Sequence, residues 1–166
     1  MTPHWADLLR NPERISALYQ DLSDVQPLVL RSVNLDRRGP TLTQRVSTSG
    51  RPDHPPAQWV ASHCDTVEFH LQFLDIADFS MAGHRLPATV TLDIRELERS
   101  RVELAVRGES VRLGFSCHRS VTIGRLSAWN SRSSDREPTR HYLSPLDRRL
   151  HTAPPETWKK NYYDRA

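Results

Sequence analysis

The chain has 166 residues, enough for one hydrophobic core and too few for two complete ones. Its mean hydropathy is low at −0.63, yet the apolar residues concentrate before residue 130, so that part can close a core. The +3 net charge lies wholly in the last segment, since residues 1–129 hold 15 Arg and 15 acidic residues while residues 130–166 hold 8 basic and 5 acidic ones, and a neutral body weakens a nucleic-acid reading.

Cys64 and Cys117 stand far apart and outside any C-x-x-C spacing, which argues against a disulfide framework or a zinc ribbon and for two reduced, buried thiols. The first residues lack a charged stretch followed by an apolar run, and no segment approaches the roughly 18 apolar residues of a membrane span. The expected location is the cytoplasm, with no membrane contact.

Thr2-Pro3 and Asn11-Pro12-Glu13 are helix-start signals, and Trp5, Leu8, Leu9, Ile15, Leu18 and Tyr19 recur at helical spacing. These predict a broken helix, or two short ones, ending near Gln20. From Pro27 the period changes to two: Val29, Val33 and Leu35 share one parity, with Arg31 as the intruder. Asp36 to Pro40 supplies a turn, and Leu42 and Val46 continue a paired strand. Ser47 to Pro56 is polar and carries Pro52, Pro55 and Pro56, which predicts a loop closed by Trp59.

Val67 to Phe73 is the clearest strand, four apolar residues alternating strictly with Glu68, His70 and Gln72. One face is predicted to be core and the other to meet water or a partner. Further strands are expected around Val90 to Ile94, Val102 to Val106, Val111 to Cys117 and Val121 to Trp129. The fold class is therefore α+β and strand-dominated: a mainly antiparallel sheet of roughly seven strands, curved or sandwich-like, with a short N-terminal helical segment packed on it. Residues 1–129 read as a single domain. Residues 130–166 read as a polar, partly disordered tail whose sparse anchors are Tyr142, Leu143, Leu146, Leu150, Trp158, Tyr162 and Tyr163.

Chemistry is hard to assemble from these residues. His63-Cys64 and Cys117-His118 pair imidazole with thiolate, but neighbours on a strand point to opposite faces, and a structural zinc needs four convergent ligands. There is no G-x-S-x-G elbow, no Walker lysine loop and no G-x-G-x-x-G. His70 between Glu68 and Gln72 has the composition of a general base on an exposed polar stripe, without a convergent acid or nucleophile. Neither catalytic residues, metal ligands nor a cofactor are expected. Arg148, Arg149, Lys159 and Lys160 near Tyr162 and Tyr163 are interrupted by Asp147, Glu156 and Asp164, so a solvated tail is favoured over a nucleic-acid contact.

Trp5-x-x-Leu8, Asn11-Pro12-Glu13 with Leu18-Tyr19, Val33-x-Leu35-Asp36-x-x-Gly39-Pro40, Pro55-Pro56-x-x-Trp59, Leu71-x-Phe73-Leu74-x-Ile76 and Gly124-x-x-Ser127-Ala128-Trp129 occur in an ordered series. This series, over about residues 5 to 129, resembles the immunity protein 50 family of bacterial polymorphic toxin systems. The resemblance implies a cytoplasmic antidote that binds a toxin domain and blocks it, with no catalytic residue to carry over. The alternative is a non-catalytic subunit or scaffold of another bacterial complex; an enzyme with a hidden site comes third. The neighbouring gene separates them, since a secreted protein ending in a toxin domain favours the first. Glu68, His70 and Gln72 are the candidate partner-binding residues.

Overall fold

Strand β3 (Thr66–Phe73) takes the middle of the molecule because Val67, Phe69, Leu71 and Phe73 all turn to one side, where each is buried. The computed structural model describes residues 2–83, 85–136 and 138–150. These form nine strands in one antiparallel sheet: β1 (Leu28–Asp36), β2 (Thr41–Ser49), β3, β4 (Ala77–Ala82), β5 (Ala88–Leu97), β6 (Arg101–Gly108), β7 (Arg112–His118), β8 (Thr122–Trp129) and β9 (His141–Tyr142). Their order is β4-β7-β6-β5-β1-β2-β3-β8-β9. Three short helices accompany them, α1 (Glu13–Ser16), α2 (Ala57–Ala61) and α3 (Pro145–Leu150).

The strand-dominated antiparallel sheet matches the expectation; the strand number does not. The seven expected strands are β1, β2, β3, β5, β6, β7 and β8, and the sheet adds β4 and β9 at its two edges. β4 gives no signal in sequence because five of its six residues are exposed, so it has no buried face to impose alternation. β9 is only two residues long. β2 also runs on to Ser49, into the stretch expected to be loop, because Ser47 and Thr48 are buried and paired with Glu68 and Val67 of β3.

The expected N-terminal helix is reduced to a 3-10 turn at Trp5–Leu8 and the single turn α1. The backbone between them is used otherwise. Val121 N–H donates to Leu8 O at 2.9 Å and Arg10 N–H to Val121 O at 2.7 Å, while the Asn11 amide clamps both backbone groups of Ile123, donating to O at 2.8 Å and accepting from N–H at 3.0 Å. Residues 8–11 thus run beside the start of β8 like a further strand, and Pro12 has no N–H with which to extend a helix through them. Trp5, Ile15 and Leu18 still reach the core, Trp5 stacking on Phe69 at 5.6 Å.

β1 meets β5 only through Leu28–Leu30, opposite Ala88–Val90. Beyond that short seam the sheet folds into two layers, so Phe73 of β3 packs edge-on against Phe115 of β7 at 5.2 Å although the two strands are far apart in the sheet. Ile76 N–H to Pro40 O and His118 N–H to Leu74 O, both 2.9 Å, tie one end. A single core lies between the layers.

β1 also corrects the expected parity. A bulge between Leu30 and Ser32 moves the core side from the even residues Leu28 and Leu30 to the odd residues Val33 and Leu35. Arg31 sits at the change and turns away from the core, its Nε donating to Ser47 Oγ at 2.7 Å. Of the segment read as a tail, Tyr142 is buried and β9 pairs with β8; residues 151–166, with Trp158, Tyr162 and Tyr163, lie outside the described residues.

Gln44 breaks the pattern of the core. It faces inward between Val33 and Leu71 at 0% exposure, and neither its amide nitrogen nor its oxygen finds a hydrogen-bond partner among the described residues. An unsatisfied buried amide costs about 1–3 kcal/mol, and Met has nearly the same shape. Gln44→Met is expected to raise the melting temperature by about 2–6 °C in a calorimetric scan. An unchanged or lowered midpoint would show that the amide is satisfied in solution.

Candidate functional site

The other side of β3 carries Glu68, His70 and Gln72, where an exposed stripe was expected. The structure overturns that: Glu68 is 0% exposed, His70 is 8% exposed and Gln72 is half-buried. The cause is tertiary. β3 is flanked on both sides, by β2 and β8, and Arg31, Trp129 and Arg140 gather round the carboxylate from segments remote in sequence.

Arg140 Nη1 lies 3.3 Å from Glu68 Oε1 and Arg31 Nε lies 3.8 Å from it, so the carboxylate is held by ion pairs from two guanidiniums. Both guanidiniums stack over Trp129, at 4.5 Å for Arg140 and 5.1 Å for Arg31. The indole face attracts cations, which lets it gather two like charges beside one carboxylate. Burial holds both arginines below their ordinary value, Glu68 opposes that shift, and the nearby Arg45 adds to it.

Local structure delivers each part. Ser47 of β2 and Ser127 of β8 stand opposite Glu68, and Tyr142 of β9 stands opposite Ser127, which makes a row of polar groups across four strands. The chain leaves β8 at Trp129 and is fastened by Asp65, which accepts from Ser131 N–H at 2.9 Å and from Ser131 Oγ–H at 2.6 Å. It returns to bring Arg140 and Tyr142 into place, with Arg148 of α3 donating to Tyr142 O at 2.7 Å. The sequence held no signal for this assembly beyond the isolated polar intruder at Arg31.

The cluster is built for packing rather than for exchange with solvent. Removing one partner of a buried ion pair leaves the rest unbalanced, at a cost of about 3–5 kcal/mol. Glu68→Gln is therefore expected to lower folding stability by about that amount in urea titrations, while Gln72→Ala costs less than about 1 kcal/mol. A Glu68→Gln protein as stable as the parent would show that the carboxylate contributes nothing net.

The remaining candidates do not converge. Cys64 and Cys117 are free and buried, while His63 and His118 beside them are exposed, and His118 Nδ1 accepts from Ser120 N–H at 3.2 Å. Among the described residues no three of His, Cys, Asp or Glu gather where they could hold a metal ion. Burial pushes the Cys117 thiol up to about 12 and raises Cys64 as well, so neither is a thiolate at neutral pH. Tyr142 is pushed up to about 12 by burial, with Glu68 adding to it, and Tyr19 is raised too.

A raised acid keeps its proton in the folded state and loses it sooner in the unfolded chain. The stability these groups contribute is present in full below the ordinary thiol value of 9.0 and is lost as pH rises towards about 12. The urea midpoint is expected to hold level from pH 7 to about 8.5 and then fall, with the first part of the fall removed in Cys117→Ala. A midpoint that rises above pH 9 would contradict the burial of these groups.

No described helix is long and apolar enough to cross a membrane. No curated protein and no solved structure matches the chain significantly. The family model described as Immunity protein 50 matches residues 11–129, from the Asn11 clamp to the end of β8, so Glu68, Arg31 and Trp129 lie inside the match and Arg140 outside it. With well over half its length matched, the chain belongs to the immunity protein 50 family.

Proposed function

We propose that this chain neutralises a cognate toxin of a bacterial polymorphic toxin system by binding the toxin domain one-to-one and blocking it in the cytoplasm, without chemistry of its own. The family match over residues 11–129 carries the reading. It is supported by the state of the groups that could react: the two thiols are buried and protonated, and the Glu68 carboxylate is buried between two arginines. Stoichiometric blockers of this kind bury about 1,600 Å² in total and depend on a few central anchors.

The reading predicts how protection scales. Co-expressed at graded ratios with the toxin domain that the reading expects to be encoded beside it, the chain is expected to restore growth only as the ratio reaches one to one. His63→Ala and His118→Ala, both exposed positions, are expected to protect as well as the parent. Recovery at a small fraction of equimolar, or its loss in either folded variant, would mean turnover and overturn the blocking mechanism.

A further inference from the structure

The two outer faces of the folded sheet differ. Over β3 the polar face is buried, whereas over β5, β6 and β7 the outward residues Thr91, Asp93, Glu103, Arg107 and Arg112 are exposed. A groove crosses this second face. Its floor follows a register row of short side chains, Ser80 of β4, Gly114 of β7 and Ala105 of β6. A cavity of about 650 Å³ opens above Met81, Ala105, Arg107, Arg112 and Gly114, and a second of about 450 Å³ above Asp93, Arg95 and Glu103 shares Ala105 and Arg107 with it.

The charges are uneven along this groove. Arg95 is paired with Glu103 at 2.6 Å, and Arg107 leans on Asp93 at 3.7 Å. Arg112 has no ion pair among the described residues, and it stands directly opposite Arg107 in the β6–β7 register. Like charges facing each other across a ladder are destabilising. No acidic side chain lines the larger cavity, and Arg112 stands there beside the exposed Ala82, its partner in the β4–β7 register, whereas Met81 stands opposite the buried Leu113.

We infer that this groove is the surface that receives the toxin, through an acidic segment whose carboxylates pair with Arg112 and Arg107 while an apolar side chain rests against Ala82 and Ala105. The inference rests on the blocking function and names the interface for it. The occupant lies across the sheet face. It does not extend the sheet at β4, because a bulge between Ala77 and Ser80, with the exposed Asp78 at φ 53°, interrupts that edge. A nucleic acid is the poorer fit: Asp93 and Glu103 flank the far end, and no aromatic ring lines either cavity for base stacking.

The full chain is titrated with the toxin domain encoded by the neighbouring gene. Arg107→Glu combined with Arg112→Glu is expected to weaken binding by about 100-fold or more, and more steeply at low salt. Ala105→Gln, which fills the groove floor without changing charge, is expected to weaken it by about tenfold, whereas Arg37→Glu with Arg38→Glu, on the exposed β1–β2 turn, changes it by less than about twofold. Melting curves establish that each variant is folded. If the parent binds and both groove variants bind as tightly, the groove is refuted while the blocking function stands. If the parent does not bind the toxin domain, both fall. Binding of a single-stranded oligonucleotide by the parent that is lost in the double reversal would also overturn the inference.

Discussion

Glu68 sets the terms for half of this molecule. A carboxylate on a central strand, shut off from water, costs several kcal/mol unless cations and hydrogen bonds replace its hydration. Here cations alone supply the replacement among the described residues: Arg31 on β1 and Arg140 ahead of β9 form ion pairs with the carboxylate, held together on the face of Trp129 at the end of β8, while neither Glu68 oxygen accepts a hydrogen bond. Four strands and the segment after Trp129 must therefore be in register at once. The charge cluster contributes specificity as much as stability, since apolar packing alone tolerates sliding and an unpaired buried charge does not.

Irregular backbone makes that arrangement possible. The bulge in β1 reverses which residues face the core and turns Arg31 outward to Ser47 and Glu68. A second irregularity, where β8 passes β3 between Glu68 and His70, puts Arg125 at φ 49° and keeps Leu126 and Ala128 buried while Ser127 stays opposite Glu68. Each bulge lets one strand serve an apolar core on one stretch and a charged cluster on the next.

The short seam between β1 and β5 has the complementary role. Because only three residues pair there, the sheet can close on itself, and the core is shared by strands that are not neighbours, as Phe73 and Phe115 show. Closure leaves the two outer faces with different fates. One is sealed around Glu68; the other keeps its ion pairs and the exposed Arg112 at the surface, and the proposed toxin interface rests on that asymmetry.

The sequence by itself determined seven strands, the antiparallel class and the apolar side of β3, because alternation in Val67 to Phe73 or Val102 to Val106 is imposed by a buried face and is visible locally. The ordered motifs from Trp5 to Trp129 also carried the family resemblance that the match over residues 11–129 bears out. It did not determine the fate of Glu68, His70 and Gln72. A polar residue on alternate positions looks the same whether it faces water or a guanidinium, and the groups that bury Glu68 come from residues 31, 129 and 140. Nor did it determine the N-terminal turns, where Leu8 to Asn11 spend their hydrogen bonds on β8 instead of on a helix. Tertiary structure decided these points, because burial of a polar face and the pairing of a backbone edge are set by neighbours distant in sequence, and local periodicity carries no record of them.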